Sequence, residues 1–186
     1  MPNWCQNTLT VYGDKEKREE FIEQCNVHDI VCGNPDKKGD LLDFGFNGIV
    51  CPPRSIIKAG YSIKGYDWCN ANWGTKWQPN HYDTYENEEE NKTVIDMWTA
   101  WAPPKPFVQQ ASEQFPDLEF KLGYFEGGGS FAGLVTLEEG MITGGKSESD
   151  YIRHFAKKYL DIDFEEHELE YEKEMMEEEG ITIEDL

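Results

Sequence analysis

The amino-acid sequence predicts an α+β fold, an antiparallel sheet with helices on one face. Three observations carry this. Short runs alternate apolar and polar residues, amphipathic helical stripes lie between them, and Gly/Pro clusters separate the two kinds of segment. Only 38% of the 186 residues are hydrophobic, but six Trp, nine Tyr and ten Phe bury large areas and make a sizeable core attainable.

Residues 3–12 read as a strand in which Cys5, Leu9 and Val11 alternate with Gln6, Thr8 and Thr10; Gly13-Asp14 ends it. Residues 15–25 read as a helix with Asp14 as N-cap and Phe21, Ile22 and Cys25 as its apolar stripe. A loop at 33–40 leads to a second strand at 41–50, carrying Leu42, Phe44, Phe46 and Val50. Residues 54–92 form an irregular excursion with one helical turn at Ser55 to Ala59, a Trp/Asn/Gly-rich stretch at 66–77 and a polar run at 78–92. Residues 93–101 are a strand, 106–115 a helix with Pro106 near its start, and 118–126 a strand. Gly127-Gly128-Gly129 turns the chain into a hairpin, 131–138 and 141–143. Ser149 is expected to cap a last helix bearing Ile152, Phe155 and Tyr159, before an acidic tail.

With the excursion removed, this order is the split βαβ arrangement of a ferredoxin-like fold, whose second face is free for a partner or an added element. The expected architecture is a ferredoxin-like sheet, a Trp-rich irregular insertion, an added β-hairpin and a C-terminal acidic helix. Residues 1–146 form the ferredoxin-like α+β domain and 147–186 a C-terminal helical acidic extension.

The net charge of −20 is uneven. Residues 160–186 hold 13 acids against the single Lys173, a net of −12, leaving −8 for the remainder. Such a field disfavours nucleic acid and anionic membranes and favours a basic partner protein. Met1-Pro2-Asn3-Trp4-Cys5 has neither a basic start nor an apolar run, so a cytoplasmic location is expected. The five cysteines are odd in number and lack CxxC pairs, which fits free thiols.

Several motifs carry a resemblance. They are Met1-Pro2-Asn3-Trp4-Cys5 with Asn7, Asn72-Trp73-Gly74-Thr75-Lys76-Trp77, Thr99-Ala100-Trp101 with Pro103-Pro104, and Phe125-Glu126 with Phe131 and Gly133. Over roughly Met1 to Gly144 the chain resembles the YubB-type ferredoxin-like family of phages, plasmids and other bacterial mobile elements. That resemblance implies a fold and a setting, not a mechanism.

The chemistry-bearing residues divide into four groups. Trp73, Trp77, Trp98 and Trp101 with Lys76 form either an aromatic binding platform or a core in which Trp98 and Trp101 take opposite strand faces. The core reading is favoured. Cys25, His28 and Cys32 are weak metal candidates at Cys-x2-His-x3-Cys spacing. Asp67, Asp96 and Glu126 are candidate pocket carboxylates, with Asp96 on the open sheet face as the favoured placement. In the tail, Phe164, Tyr171 and Met175 recur at helical spacing, while Glu165, Glu168 and Glu172 present charge either to solvent or to a partner as a DNA mimic does.

No nucleophile–base constellation, His-Glu-x-x-His or phosphate loop is present in the sequence; Gly127-Gly128-Gly129-Ser130 links two strands and reads as a hairpin turn. No cofactor is expected. The reading is a non-enzymatic acidic binding protein of a mobile element, acting on a basic host protein, such as a nucleic-acid-binding or defence factor. Two alternatives stand beside it: a small-molecule-binding domain or small enzyme with its pocket between the Trp73–Trp77 loop and the sheet, and a virion or assembly component.

Overall fold

The computed structural model describes residues 3–128 and 131–186. Its organising element is β1 (Trp4–Tyr12). Cys5, Asn7, Leu9 and Val11 are buried on one face, and Trp4, Gln6, Thr8, Thr10 and Tyr12 point to the other. This alternation is what a strand with one densely covered face requires. β1 pairs antiparallel with β5 (Lys92–Ala100) on one side and β6 (Glu119–Glu126) on the other.

Among the described residues six strands form the main sheet, in the order β4-β5-β1-β6-β7-β8. β4 is Asn80–Asn87, β7 Phe131–Glu138 and β8 Met141–Glu148, and every neighbouring pair is antiparallel. β1, α1 (Lys15–Cys25), β4, β5, α4 (Lys105–Gln114) and β6 make the βαββαβ unit of a ferredoxin-like fold. β7 and β8 extend its sheet as the added hairpin. The Gly129-Ser130 half of the turn expected before β7 lies outside the described residues.

The second strand of that unit is not 41–50. β3 (Lys38–Leu42) pairs only with β2 (Val27–Ile30) in a separate two-stranded sheet, and Phe46–Gly48 is a 3₁₀ turn. The strand lies instead in the polar run, as β4. An edge strand has little to bury on either face, so its sequence lacks the alternation that marks a strand. β8 escapes in the same way, running to Glu148 through the polar Thr143-Gly144-Gly145-Lys146-Ser147. The insertion is also more ordered than expected, with α2 (Arg54–Ala59), a π-helical turn (Tyr61–Gly65) and α3 (Tyr66–Trp73).

One core lies under α1, α4 and the insertion. Phe21 of α1 meets Phe44, Phe115 and Phe120 edge-on at centroid distances of 6.0, 5.4 and 5.3 Å. The added element on the opposite face is α5 (Ile152–Leu160), which packs Ile152 and Phe155 on Ala132 beside Phe125. Ser149 does not cap it. The helix begins after Tyr151, and the Arg153 and His154 N–H groups donate to the Glu172 carboxylate at 3.0 and 3.1 Å. Asp14 occupies the N-cap of α1 but makes no side-chain capping bond.

Arg18 joins α1 to the edge of the sheet from a fully buried position. Its Nε donates to Thr93 Oγ1 at 3.0 Å, Nη2 pairs with Glu86 Oε2 at 3.0 Å, and Nη1 donates to the Gly13 carbonyl. Arg18→Ala leaves three acceptors unmatched and is expected to cost about 3 kcal/mol in urea denaturation. A loss under about 1 kcal/mol would mean that solvent reaches and satisfies these groups.

Candidate functional site

The motif residues scattered along the chain meet at one end of the sheet. Gly74 closes α3 in the left-handed conformation (φ 83°), and a Cβ there would lie 2.5 Å from Pro106 Cδ, so only glycine lets α3 reach the start of α4. Thr75 follows, fully buried. Its hydroxyl donates to the Ala100 carbonyl at 3.0 Å and accepts the Ala100 N–H at 3.1 Å. Thr75 thus substitutes for a strand neighbour at the end of β5 and sets Lys76 and Trp77 over the sheet end. Gly133, opposite Tyr124, is also required by close approach: a Cβ there would sit 2.1 Å from Tyr124 Oη.

Trp101 then turns out of β5 with φ 70°, its N–H donating to the Asn3 carbonyl at 2.9 Å. A bulky non-glycine residue in that region is a genuine backbone outlier, and such outliers gather at functional positions. Lys76 Nζ stands 3.4 Å from the Trp101 ring centroid and 4.4 Å from that of Trp77, a two-sided cation–π contact. Trp4 tilts against Trp77 at 6.5 Å. Trp98 lies diagonally across from Trp4 on the open face, since Trp4 is opposite Ala100 and Gln6 opposite Trp98.

The core reading therefore holds for one indole of the four. Trp73 is 3% exposed, and its Nε1 donates to the Val50 carbonyl at 2.8 Å. Trp77, Trp98 and Trp101 are 37%, 38% and 50% exposed, and Trp4 joins them at 37%. The departure has a local cause. β5 ends at Ala100, and the left-handed turn takes Trp101 out of the strand's alternation, away from the helix-covered side. Trp4 is a site residue outside the sequence-based candidates, and its open-face parity with Gln6 in β1 is the sequence signal for it.

Beneath the aromatic end lies a buried polar network. Asn7 Nδ2 donates to the Cys5 carbonyl and to Thr99 Oγ1, both at 2.8 Å, and Thr99 Oγ1 donates to the Ala102 carbonyl at 2.7 Å. Glu126 is buried on the helix-covered side and accepts the Gly128 N–H at 3.0 Å. Lys105 Nζ donates to Tyr124 Oη at 2.7 Å. Burial, reinforced by the Glu126 charge, pushes the Cys5 thiol up to about 12.

The other candidates fall elsewhere. Asp96 does sit on the open face, where it accepts Thr8 Oγ1 at 2.7 Å. Lys76, Asp96 and Glu126 do not line one pocket: Glu126 lies on the other side of the sheet from Asp96. The cleft near the Trp73–Trp77 loop is formed by the insertion, with Ile30, Ile57 and Tyr61 in its wall, and not by the main sheet. Asp67 is an exposed residue in the first turn of α3. Cys25 is buried in the core with its thiol pushed up, Cys32 is exposed, and His28 Nδ1 sits 3.0 Å from the Gly39 carbonyl. Among the described residues no group of three His, Cys, Asp or Glu is placed to hold a metal ion.

The tail is helical as α6 (Glu166–Glu179), but its seam is not the expected one. Met176 and Glu172 are the buried positions, and Tyr171 is exposed. Glu172 presents nothing to a partner. Its carboxylate accepts the Arg153 and His154 N–H groups, Arg153 Nη1 at 3.2 Å and, at 3.1 Å, the protonated form of His154 Nδ1. It serves the N-terminus of α5, where negative charge and acceptor oxygens are favoured. Glu165 and Glu168 share a capping box at the start of α6, with Glu168 Oε2 accepting the Glu165 N–H at 3.0 Å. Twelve of the 13 acids in 160–186 are nonetheless exposed.

The family model for the ferredoxin-like domain in Api92-like protein matches residues 72–179. The crystal structure of protein api92 from Yersinia pseudotuberculosis superposes with a TM-score of 0.64 at 9% identity, covering 80% of this chain and 98% of that one. At that identity the likeness speaks for the fold. No curated protein matches in sequence. Among the described residues no helix is long and apolar enough to cross a membrane.

Two predictions follow from the placement of these groups. Trp73→Ala is expected to cost about 4 kcal/mol on denaturant unfolding. Trp101→Gly is expected to stay within about 1 kcal/mol of wild type, because relief of the left-handed backbone offsets the lost cation–π contact. A larger loss at Trp101 than at Trp73 would reverse the assignment of surface and core. Secondly, a thiol-reactive chromophore at pH 8 is expected to label the exposed Cys32 and Cys51 in the folded protein, and Cys5, Cys25 and Cys69 only after unfolding. Because the folded-state pKa of Cys5 lies above its ordinary 9.0, its contribution to stability is complete below pH 9 and declines as pH rises toward 12. Rapid labelling of Cys5 in the folded protein would show that the sheet end is open.

Proposed function

The chain belongs to the family of ferredoxin-like domains in Api92-like proteins, and from that premise we propose that it is a non-enzymatic binding protein acting by protein–protein contact. Its contact surface is the tryptophan-bearing end of the sheet, and its partner is basic. One observation carries the reading: Trp77 and Trp101 are exposed against Lys76, with Trp4 against Trp77 and Trp98 sharing a groove with Trp4. Tryptophan is the residue most enriched at the energetic centres of protein interfaces, and a cluster at one sheet end has no evident core role.

The acidic lobe gives the sign of the partner. Phe125 lines the groove beside Trp4 and Trp98, and Phe164, just ahead of α6, packs on it at 5.3 Å. The aromatic end and the acidic helix therefore adjoin. α6 is 14 residues long, about 21 Å at ~1.5 Å per residue, and carries seven exposed carboxylates. That is one charge per roughly 3 Å, against about 3.4 Å per phosphate along one DNA strand. In this reading the protein is a cytoplasmic, YubB-type product of a bacterial mobile element that occupies a host nucleic-acid-binding or defence factor in place of DNA.

The test is capture of partners from bacterial lysate at low and high salt, identified by mass spectrometry, with three forms of the full chain. The first is wild type. The second carries Gln at Glu166, Glu170, Glu174 and Glu177, which leaves Glu172 and Met176 in place. The third is Trp98→Ala/Trp101→Ala. Basic nucleic-acid-binding proteins should be retained by wild type at low salt and released at high salt. The Gln form should associate about tenfold more slowly, and the Trp form should bind at least about 30-fold more weakly. Capture indifferent to salt and to both sets of changes would reject the proposal.

A further inference from the structure

The insertion between α1 and β4 forms a half-open cleft of about 300 Å³ that adjoins the aromatic sheet end, with Lys76 and Trp77 at their common border. Its wall is apolar, with Ile30 from β2, Ile56 and Ile57 from α2, Tyr61 from the π-helical turn, and Trp68 and Trp73 from α3. Protein interiors leave few voids larger than a water molecule. A dry hole of about 150 Å³ lined by such side chains takes up benzene, so this cleft has room for about two fused rings.

Tyr61 supplies an independent observation. Its Oη is shut off from solvent and has no hydrogen-bond partner among the described residues. A buried hydroxyl is normally paired, and an unpaired one is a standing cost to the fold. The groups whose charge bears on it are the Cys69 and Cys32 thiols and the Tyr66 phenol, and burial pushes both thiols up, so they stay neutral near pH 7. The backbone adds a third observation. Gly60 (φ 87°) leads into the π-helical turn Tyr61–Gly65, a rare conformation found frequently at functional sites.

We propose that this cleft is a binding site for a planar aromatic molecule of one or two rings. Its neutral hydroxyl, carbonyl or ring N–H would pair with Tyr61 Oη, and its rings would lie against Trp68, Trp73 and Ile57. Asp29, Lys76 and Gln78 also line the cleft and suit a polar substituent on the ligand. The site goes beyond the protein-contact reading and uses none of the α6 carboxylates.

The experiment is ligand-detected saturation-transfer NMR with 2-naphthol and naphthalene as probes, on wild type, Tyr61→Phe and Ile57→Trp, with near-ultraviolet circular dichroism to check that each is folded. Wild type should bind both probes saturably, 2-naphthol with a Kd of about 0.1–1 mM. Tyr61→Phe should weaken 2-naphthol about fivefold to tenfold while leaving naphthalene within about twofold. Ile57→Trp, which fills the cleft from its rim, should abolish both. The form with four Gln in α6 should bind like wild type, so failure of the protein-contact reading leaves this result standing. Absence of saturable binding by wild type, or equal 2-naphthol binding by all forms, would overturn the proposal.

Discussion

The structure depends on a chain of aromatic contacts that ties the ferredoxin-like unit to its insertion. Phe21 of α1 packs on Phe44, Phe44 on Phe107 of α4 at 5.9 Å, and Phe107 on Phe46 at 4.3 Å. Phe46 then meets Trp73 at 5.9 Å. Each such pair adds about 0.5–1.5 kcal/mol beyond burial of its area. The placement of the insertion follows from this chain. Trp73 fixes the end of α3, Gly74 lets it approach Pro106, and Thr75 fastens the segment to β5. Lys76 and Trp77 are thereby held over the sheet end, while Trp68 and Tyr61 are held around the cleft.

Charge is arranged with the same division between structural and presented groups. Glu172 is withdrawn into the contact between α5 and α6, and Glu165 and Glu168 are committed to a helix start. The remaining acids of α6 are exposed, and Lys173 is the one Lys or Arg within that helix. A helix with so much like charge is disfavoured alone, since neighbouring carboxylates repel. It is anchored by Met176 and by the bonds Glu172 makes, so the body of the protein sustains a field that the helix could not sustain by itself.

The parts of the fold that bury apolar area were legible in the sequence. β1, β6 and β7 show period-two alternation and α1 and α4 show helical stripes, because each has one covered face, while β5 is marked by its run of β-branched and aromatic residues. β4 and β8 were not legible, because edge strands with solvent on both faces have no pattern to display. Phe44 and Phe46 misled for the opposite reason: they alternate like strand residues but are buried from a loop and a 3₁₀ turn by ring–ring contacts. At the site, the motif positions 73–77 and 99–101 were visible, but which indoles are exposed was not. That depends on the positive φ at Trp101, and propensity gives no warning of such a turn at a bulky residue. Glu172 was unreadable as a seam position because a carboxylate at a buried helical step looks like surface until its N–H donors arrive from α5.

The strand order has a consequence for how the chain reaches this structure. β1 is central in space, but its two partners, β5 and β6, begin about 80 and 107 residues further along than its own end. At a synthesis rate of about 5–20 residues per second, β1 waits roughly 4–16 s for its first neighbour and longer for its second. During that interval both of its hydrogen-bonding edges are open to other nascent chains. Its sequence suits the wait. Gln6, Asn7, Thr8 and Thr10 interrupt the apolar residues, so no run of the strand is uniformly sticky. The amide of Asn7 that later satisfies the buried end of the sheet is, before that sheet exists, one of the polar groups that keep the lone strand in solution.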